Sequence, residues 1–120
     1  MKAVAGFVAL TAGVVALIAV LEGGASTVTA VRVAVPAQAR SLYVYRGSAP
    51  ESASGRQQCF AVNGAVEVTT PSVLASPGER EWNFFAYAEP GCPVSGGEPL
   101  AAARNVTAPE DLTAWSVILR

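Results

Sequence analysis

Cys59-Phe60-Ala61-Val62-Asn63-Gly64-Ala65-Val66-Glu67-Val68 is the stretch on which the fold class turns. An Asn-Gly pair between two β-prone runs favours a two-residue type I′ turn, because both central positions of that turn need positive φ and these residues tolerate it. The expected element is a β-hairpin with Asn63 and Gly64 at its tip. In such a hairpin Val62 faces Ala65, Ala61 faces Val66 and Cys59 faces Val68. The face of Cys59, Ala61, Val66 and Val68 is wholly apolar and is assigned to the core. Phe60, Val62, Ala65 and Glu67 form a more mixed face, assigned to a partly wet surface. Phe60 is then a half-exposed aromatic covering a neighbouring strand or loop.

The same alternation continues outward. Runs rich in Val, Tyr, Phe and Trp recur between clusters of Gly, Pro, Ser and Asn, at intervals of roughly ten to fifteen residues, which is the punctuation of antiparallel β structure. The expected strands are Val28 to Val35, Ser41 to Arg46, Gln57 to Val62, Ala65 to Thr70, Glu81 to Ala88, a weaker Ala101 to Val106, and Leu112 to Leu119. The expected fold is therefore all-β: a small antiparallel β-sandwich or barrel-like domain of six to seven strands. Trp82, Phe84, Ala86 and Ala88 share one side of their strand and Asn83, Phe85 and Tyr87 the other, so both sides carry aromatics. Such a strand belongs in the middle of a sheet or beneath a covering loop. In the last strand Trp115, Val117 and Leu119 make the heavier face and are expected inside. Thr107-Ala108-Pro109-Glu110 has the spacing of a capping box and predicts one helical turn before that strand.

The amino-terminal segment differs in kind. Lys2 precedes Ala3 to Leu21, nineteen residues without a charge, followed by Glu22-Gly23-Gly24-Ala25-Ser26. As a helix rising about 1.5 Å per residue, the run falls just short of the roughly 30 Å hydrocarbon core. A basic start, an apolar stretch and small residues before a cut make an export signal. The expected organisation is a signal peptide over residues 1–25 and an exported β domain over 26–120, with 26–40 a loosely ordered lead-in. Cuts after Ala30 and after Ala39 also satisfy the small-residue rule, and an uncleaved membrane anchor is the alternative. Either way the remainder lies outside the cytoplasm, and the expected localisation is secreted.

Cys59 and Cys92 are the only cysteines. An even count in an exported chain predicts a disulfide between them. In the chain-entropy model that bridge contributes roughly 3 to 4 kcal/mol, a large share of the total for so small a domain. Two thiolates with no histidine in the chain make a poor zinc site.

Missing residue types exclude most catalysis. The chain has no His, and its only Lys is Lys2 in the leader. Ser-His-Asp, Cys-His and Ser-Lys nucleophiles, Schiff bases and His-ligated metals are therefore outside the exported part's repertoire. Carboxylates remain, with Glu79, Glu81, Glu89, Glu98, Glu110 and Asp111 the acidic candidates, and these are read as solvating loop and edge residues. Glu110-Asp111 lacks the alternating oxygen ligands of a calcium loop. Asn105-Val106-Thr107 matches a glycosylation acceptor. With a net charge of −1 and pI near 5.3, nucleic acid is an unexpected partner.

These features predict a non-enzymatic extracellular β module, without cofactor or metal, whose partner is an extracellular protein or cell-surface component and whose contacts come from loops. The candidate loops are Gly47 to Arg56 and Pro71 to Arg80. Two alternatives stand beside it. One is a secreted protease inhibitor presenting residues 71–80 between two prolines, and the other is a membrane-anchored envelope protein.

Overall fold

A computed structural model describes residues 26–49, 56–62 and 67–120. The expected leader and the expected turn at Asn63 and Gly64 lie outside the described residues. The fold is all-β with one disulfide, and its strands form three sheets. Strands β1 (Thr27–Thr29) and β6 (Val73–Ala75) make a two-stranded sheet; β5 (Glu67–Thr69), β2 (Arg32–Ala34) and β9 (Ser116–Ile118) make a second. The third has the order β4 (Gln58–Ala61), β3 (Ser41–Arg46), β7 (Trp82–Tyr87), β8 (Ala101–Val106).

Nine short strands among the described residues replace the expected six or seven. The run Val28 to Val35 breaks into β1 and β2, which take partners in different sheets. Residues 26–40, read from the sequence as a lead-in, carry these two strands and the buried Val31, Val33, Val35 and Ala39. Nor is the pairing wholly antiparallel, because β2 runs parallel to β9 and antiparallel to β5.

The runs flanking Asn63 and Gly64 find partners elsewhere. Cys59 lies opposite Tyr43 of β3, and Val68 lies opposite Val33 of β2. The expected cross-strand pair of Cys59 with Val68 is therefore replaced by two ladders in two sheets. The facing of the first run is also reversed: Cys59 and Ala61 are exposed, while Val62 is buried and Phe60 packs on the core. Leu42 sets this facing. It sits opposite Phe60, and both point into the core that the inner face of β3 builds.

One cluster joins the sheets. Val33 and Val117 come from the β5-β2-β9 sheet, Leu42, Val44, Trp82, Phe84 and Ala86 from the four-stranded sheet, and Val73 and Ala75 from β6. Trp115 is its keystone, edge-on to Trp82 at 5.8 Å and to Phe84 at 6.0 Å between ring centres. Trp115, Val117 and Leu119 face inward as expected. The helical turn lies later than the capping box predicts: a short 3-10 turn spans Leu112–Ala114, and Asp111, not Thr107, caps it by accepting from the Thr113 N–H. A second bond from the Thr113 hydroxyl selects Asp111 for this role.

Beyond β9 the chain reaches the four-stranded sheet. Ala102 N–H donates to Arg120 O and Arg120 N–H donates to Ala102 O, both at 3.1 Å. That reciprocal exchange is one rung of an antiparallel ladder, so β8 is linked to the strand that leaves β2.

Candidate functional site

Strand β7 is buried along its whole length, as its two apolar faces require. Its inner face meets the core. On its outer face Phe85 and Tyr87 join Tyr45, Cys92 and the partly buried Tyr43, Val94 and Ala102 in a second apolar cluster. Phe85 is edge-on to Tyr45 at 5.4 Å and to Tyr87 at 6.3 Å.

At the Ser41 and Tyr87 end this outer face is covered by the segment that follows β7. Cys92 bonds to Cys59 on β4, across 33 positions of sequence. The Ser41 hydroxyl donates to Glu89 O at 2.6 Å and accepts from Cys92 N–H at 3.0 Å. The disulfide and this buried serine hold the covering segment at two successive strands, β4 and β3. Sequence reasoning found the bridge from cysteine parity. It did not find Ser41, because nothing in a lone serine within a β run announces two backbone partners.

The other end of the face is open. Tyr45, Gly47, Ser48, Ala49, Glu81, Asn83, Phe85, Arg104 and Asn105 line a groove of about 410 Å³. Its geometry is set by Asn83, a buried polar residue. The Asn83 amide donates to Gly47 O at 3.0 Å and to Glu81 O at 2.8 Å, and its oxygen accepts from Asn105 N–H at 2.9 Å. All three partners are backbone groups, and Glu81 O also accepts from Gly47 N–H at 3.0 Å, so the asparagine and that backbone bond together fix both rims.

The rims are strained. Glu81 and Asn105 are non-glycine residues in the left-handed region, at φ 67° and 56°. Each such residue costs about 1–3 kcal/mol and persists only where its surroundings over-determine it. At Asn105 the cause is a bulge. Trp82 pairs with Val106 and Phe84 with Ala103, so Arg104 and Asn105 together oppose Asn83. The extra residue returns Val106 to the core and leaves Arg104 on the outer face, its guanidinium 4.9 Å above the Phe85 ring. Period-two alternation missed this, although an asparagine within a strand-like run is a signal for a left-handed position.

Arg104 and Glu81 are both exposed, and neither makes a side-chain ion pair among the described residues. The groove thus presents a cation stacked over an aromatic ring and a carboxylate, neither of them in an ion pair among the described residues. Gly47, Ser48 and Ala49 bring the start of the candidate loop 47–56 to the rim. Arg56, at its other end, belongs to a different cluster.

That cluster centres on Glu79. Arg56 grips both carboxylate oxygens, at 3.0 and 2.6 Å, Arg46 Nε lies 3.2 Å from Oε2, and Ser76 N–H donates to Oε1 at 3.0 Å. Burial by itself would raise the Glu79 pKa; the Arg56 and Ser76 hydrogen bonds and the two guanidinium charges outweigh it and hold the carboxyl below its ordinary value of 4.5. With its acceptors occupied, Glu79 is a clamp on the turn Ser76-Pro77-Gly78-Glu79, in which Gly78 takes φ 75° and Glu79 N–H donates to Ser76 O.

The remaining expected site features separate. Residues 71–80 are not a free loop: Val73–Ala75 is β6, laddered to β1, with Val73 and Ala75 buried and only Leu74 turned outward. Glu81 and Glu110 border a shallow polar surface with Arg80 and Thr107, and the exposed Asn105 and Thr107 of the acceptor tripeptide lie there too. Among the described residues, no three acidic or cysteine side chains are grouped to hold a metal ion. No protein-family model, curated protein or solved structure matches the chain.

Proposed function

We propose that the chain is an exported, non-enzymatic β module that binds another extracellular protein, and that the groove on the outer face of the four-stranded sheet is the contact. One observation carries this reading. Two strained non-glycine residues, and an arginine and a glutamate outside any ion pair among the described residues, converge on one groove, held there by a buried asparagine whose bonds serve only that geometry. Backbone strain maintained by dedicated hydrogen bonds is more often kept for recognition than for stability. The fitting occupant is an extended segment of the partner with a carboxylate or similar anion against Arg104. An open cleft suits a chain that passes through it, and a guanidinium backed by an aromatic ring suits a planar anion.

The scaffold in this reading is a small β-sandwich with one barrel-like seam. Support comes from the core shared by the three sheets and the Ala102–Arg120 rung between two of them. Export is supported by the basic-then-apolar leader and by the disulfide, which suits an oxidising compartment. The non-enzymatic reading rests on the missing His and on Lys2 as the only lysine.

The test is affinity capture from the native medium or cell surface with the disulfide-intact protein immobilised. A single partner is expected on the wild type and on Arg32→Glu, a charge reversal on the β2 sheet, and is expected to be lost with Arg104→Glu. No retained partner, or equal retention by Arg104→Glu, overturns the assignment.

A further inference from the structure

We infer that the outer edge of β4 is a self-association surface: two copies of the chain pair their β4 strands antiparallel about a two-fold axis at Phe60, joining their four-stranded sheets into one. This contact is separate from the groove and does not depend on it.

Hydrogen-bond alternation shows which backbone groups the fold leaves over. Gly47 N–H donates to Glu81 O at 3.0 Å, in step with the β3–β7 register, so the odd-numbered residues of β3 bond toward β7 and the even-numbered ones toward β4. The bond from Val62 N–H to Arg40 O at 3.1 Å agrees. Leu42 lies opposite Phe60 and Val44 opposite Gln58, so Phe60 and Gln58 direct their backbone groups at β3. The N–H and C=O groups of Cys59 and Ala61 therefore point out of the sheet. Both residues are exposed, and β4 has no second strand beside it among the described residues.

The other edges carry features that turn an added strand away. On β8 the backbone of Ala102 is taken by Arg120, and the bulge at Arg104 and Asn105 interrupts the ladder beyond it. Strands β1, β5, β6 and β9 are three residues each, and β5 opens with the exposed Glu67. Strand β4 has four residues, none of them charged, proline or glycine, in unbroken register with β3.

The edge itself selects a second copy as its occupant. With the axis at Phe60, Cys59 of each copy faces Ala61 of the other, and each facing pair exchanges both bonds, so every outward group on the two edges is satisfied. Phe60, only partly buried in one copy, meets Phe60 of the second copy at the closely spaced position between those pairs. Gln58 faces Val62 of the second copy, so no like charges are set opposite one another. At the Gln58 end the exposed Val28 and Leu74, cross-strand partners in the two-stranded sheet, line a cleft of about 260 Å³ with Gln57 and Gln58, and the added strand runs past it. Both copies use the same edge, so the pairing closes at a dimer. The axis stands perpendicular to the sheet, and both outer faces look the same way. On the binding reading above, the dimer presents its two grooves together and gains avidity.

The test follows the disulfide-intact protein by sedimentation equilibrium over a dilution series, with amide exchange at both ends of it. So short a contact makes a reversible dimer. Wild type is expected to pass from monomer to dimer as concentration rises, with the Cys59 and Ala61 amides exchanging at least about tenfold more slowly in the dimer. Ala61→Pro removes an outward donor that does not serve β3, and is expected to keep the wild-type circular dichroism and stay monomeric. Glu67→Lys, on the β5 edge, is expected to dimerise like wild type. A wild type that remains monomeric up to about 1 mM overturns the proposal. So does a dimer whose Cys59 and Ala61 amides exchange as fast as in the monomer, because that dimer uses another surface. Should Ala61→Pro fail to fold, the exchange comparison in wild type decides alone. Arg104→Glu, which tests the groove, is expected to leave both readouts unchanged.

Discussion

At the scale of single residues, Asn83 and Glu79 do comparable structural work by different physics. Asn83 satisfies three backbone groups without any charge. Asn83→Ala would remove the side-chain partner of Gly47 O and Asn105 N–H and leave Glu81 O with the Gly47 N–H alone, and each group left unsatisfied costs about 1–3 kcal/mol. Some rearrangement of Gly47 toward solvent offsets part of this, and the expected loss in urea unfolding is about 2–4 kcal/mol. Asn83→Asp is expected to cost about as much, since a carboxylate would face the Gly47 and Glu81 carbonyls. Glu79 acts through charge, so its contribution depends on pH. Its pKa is lower folded than unfolded, so the stabilisation is complete above the ordinary value of 4.5 and is lost as pH falls through the folded value. The stability difference between wild type and Glu79→Gln is expected to hold steady near neutral pH and to shrink below about pH 4.5. A difference that grows on acidification would contradict the sign.

At the scale of elements, the disulfide and β7 explain how a sheet with two apolar faces stays closed. The inner face of β7 is covered by the core, and the outer face depends on the segment that Cys92 and Ser41 hold down. Replacing both cysteines by serine is expected to lower the unfolding free energy by about 3–4 kcal/mol in denaturant titration. The second effect is local. Tyr87 packs with Cys92 in the outer apolar cluster, so its solvent exposure is expected to rise in the double variant even below the unfolding midpoint. An unchanged midpoint would show that Ser41 suffices as the tether. Strand β6 belongs at this scale too. Its proline-flanked sequence resembles an exposed loop, but Val73 and Ala75 alternate into the core and take β1 as their partner.

For the molecule as a whole, Trp115 and Arg120 carry the coupling between sheets. Trp115 touches Trp82 and Phe84 edge-on, so the last strand and the four-stranded sheet share one packing unit. Trp115→Ala is expected to cost about 3–5 kcal/mol, enough to unfold a domain of marginal stability, while Trp115→Phe keeps most of the contact and is expected to stay folded. Circular dichroism melts of the two variants distinguish these outcomes. The Arg120 rung makes a separate prediction. The Ala102 amide is expected to exchange with solvent as slowly as core amides of β7, because its partner closes the seam between sheets. Fast exchange there would mean that the seam is open in solution.

The sequence by itself determined the class of structure and much of its chemistry. Strand-forming runs recur with period two, and both faces of β7 and the inner face of Trp115, Val117 and Leu119 follow from side-chain alternation along one strand. The bridge followed from two cysteines. These are local or compositional properties. Which strand pairs with which was decided only in three dimensions, because a period-two pattern states that a segment has a buried face and not what buries it. Thus Asn63-Gly64 read as the tip of a hairpin although its flanking runs join different sheets. A single extra residue at Asn105 likewise reverses the facing of the end of β8 without disturbing the pattern before it. The groove depends on that bulge, on Glu81 and on Asn83 meeting from strands far apart in sequence, and non-local hydrogen bonds of this kind leave no periodicity to read.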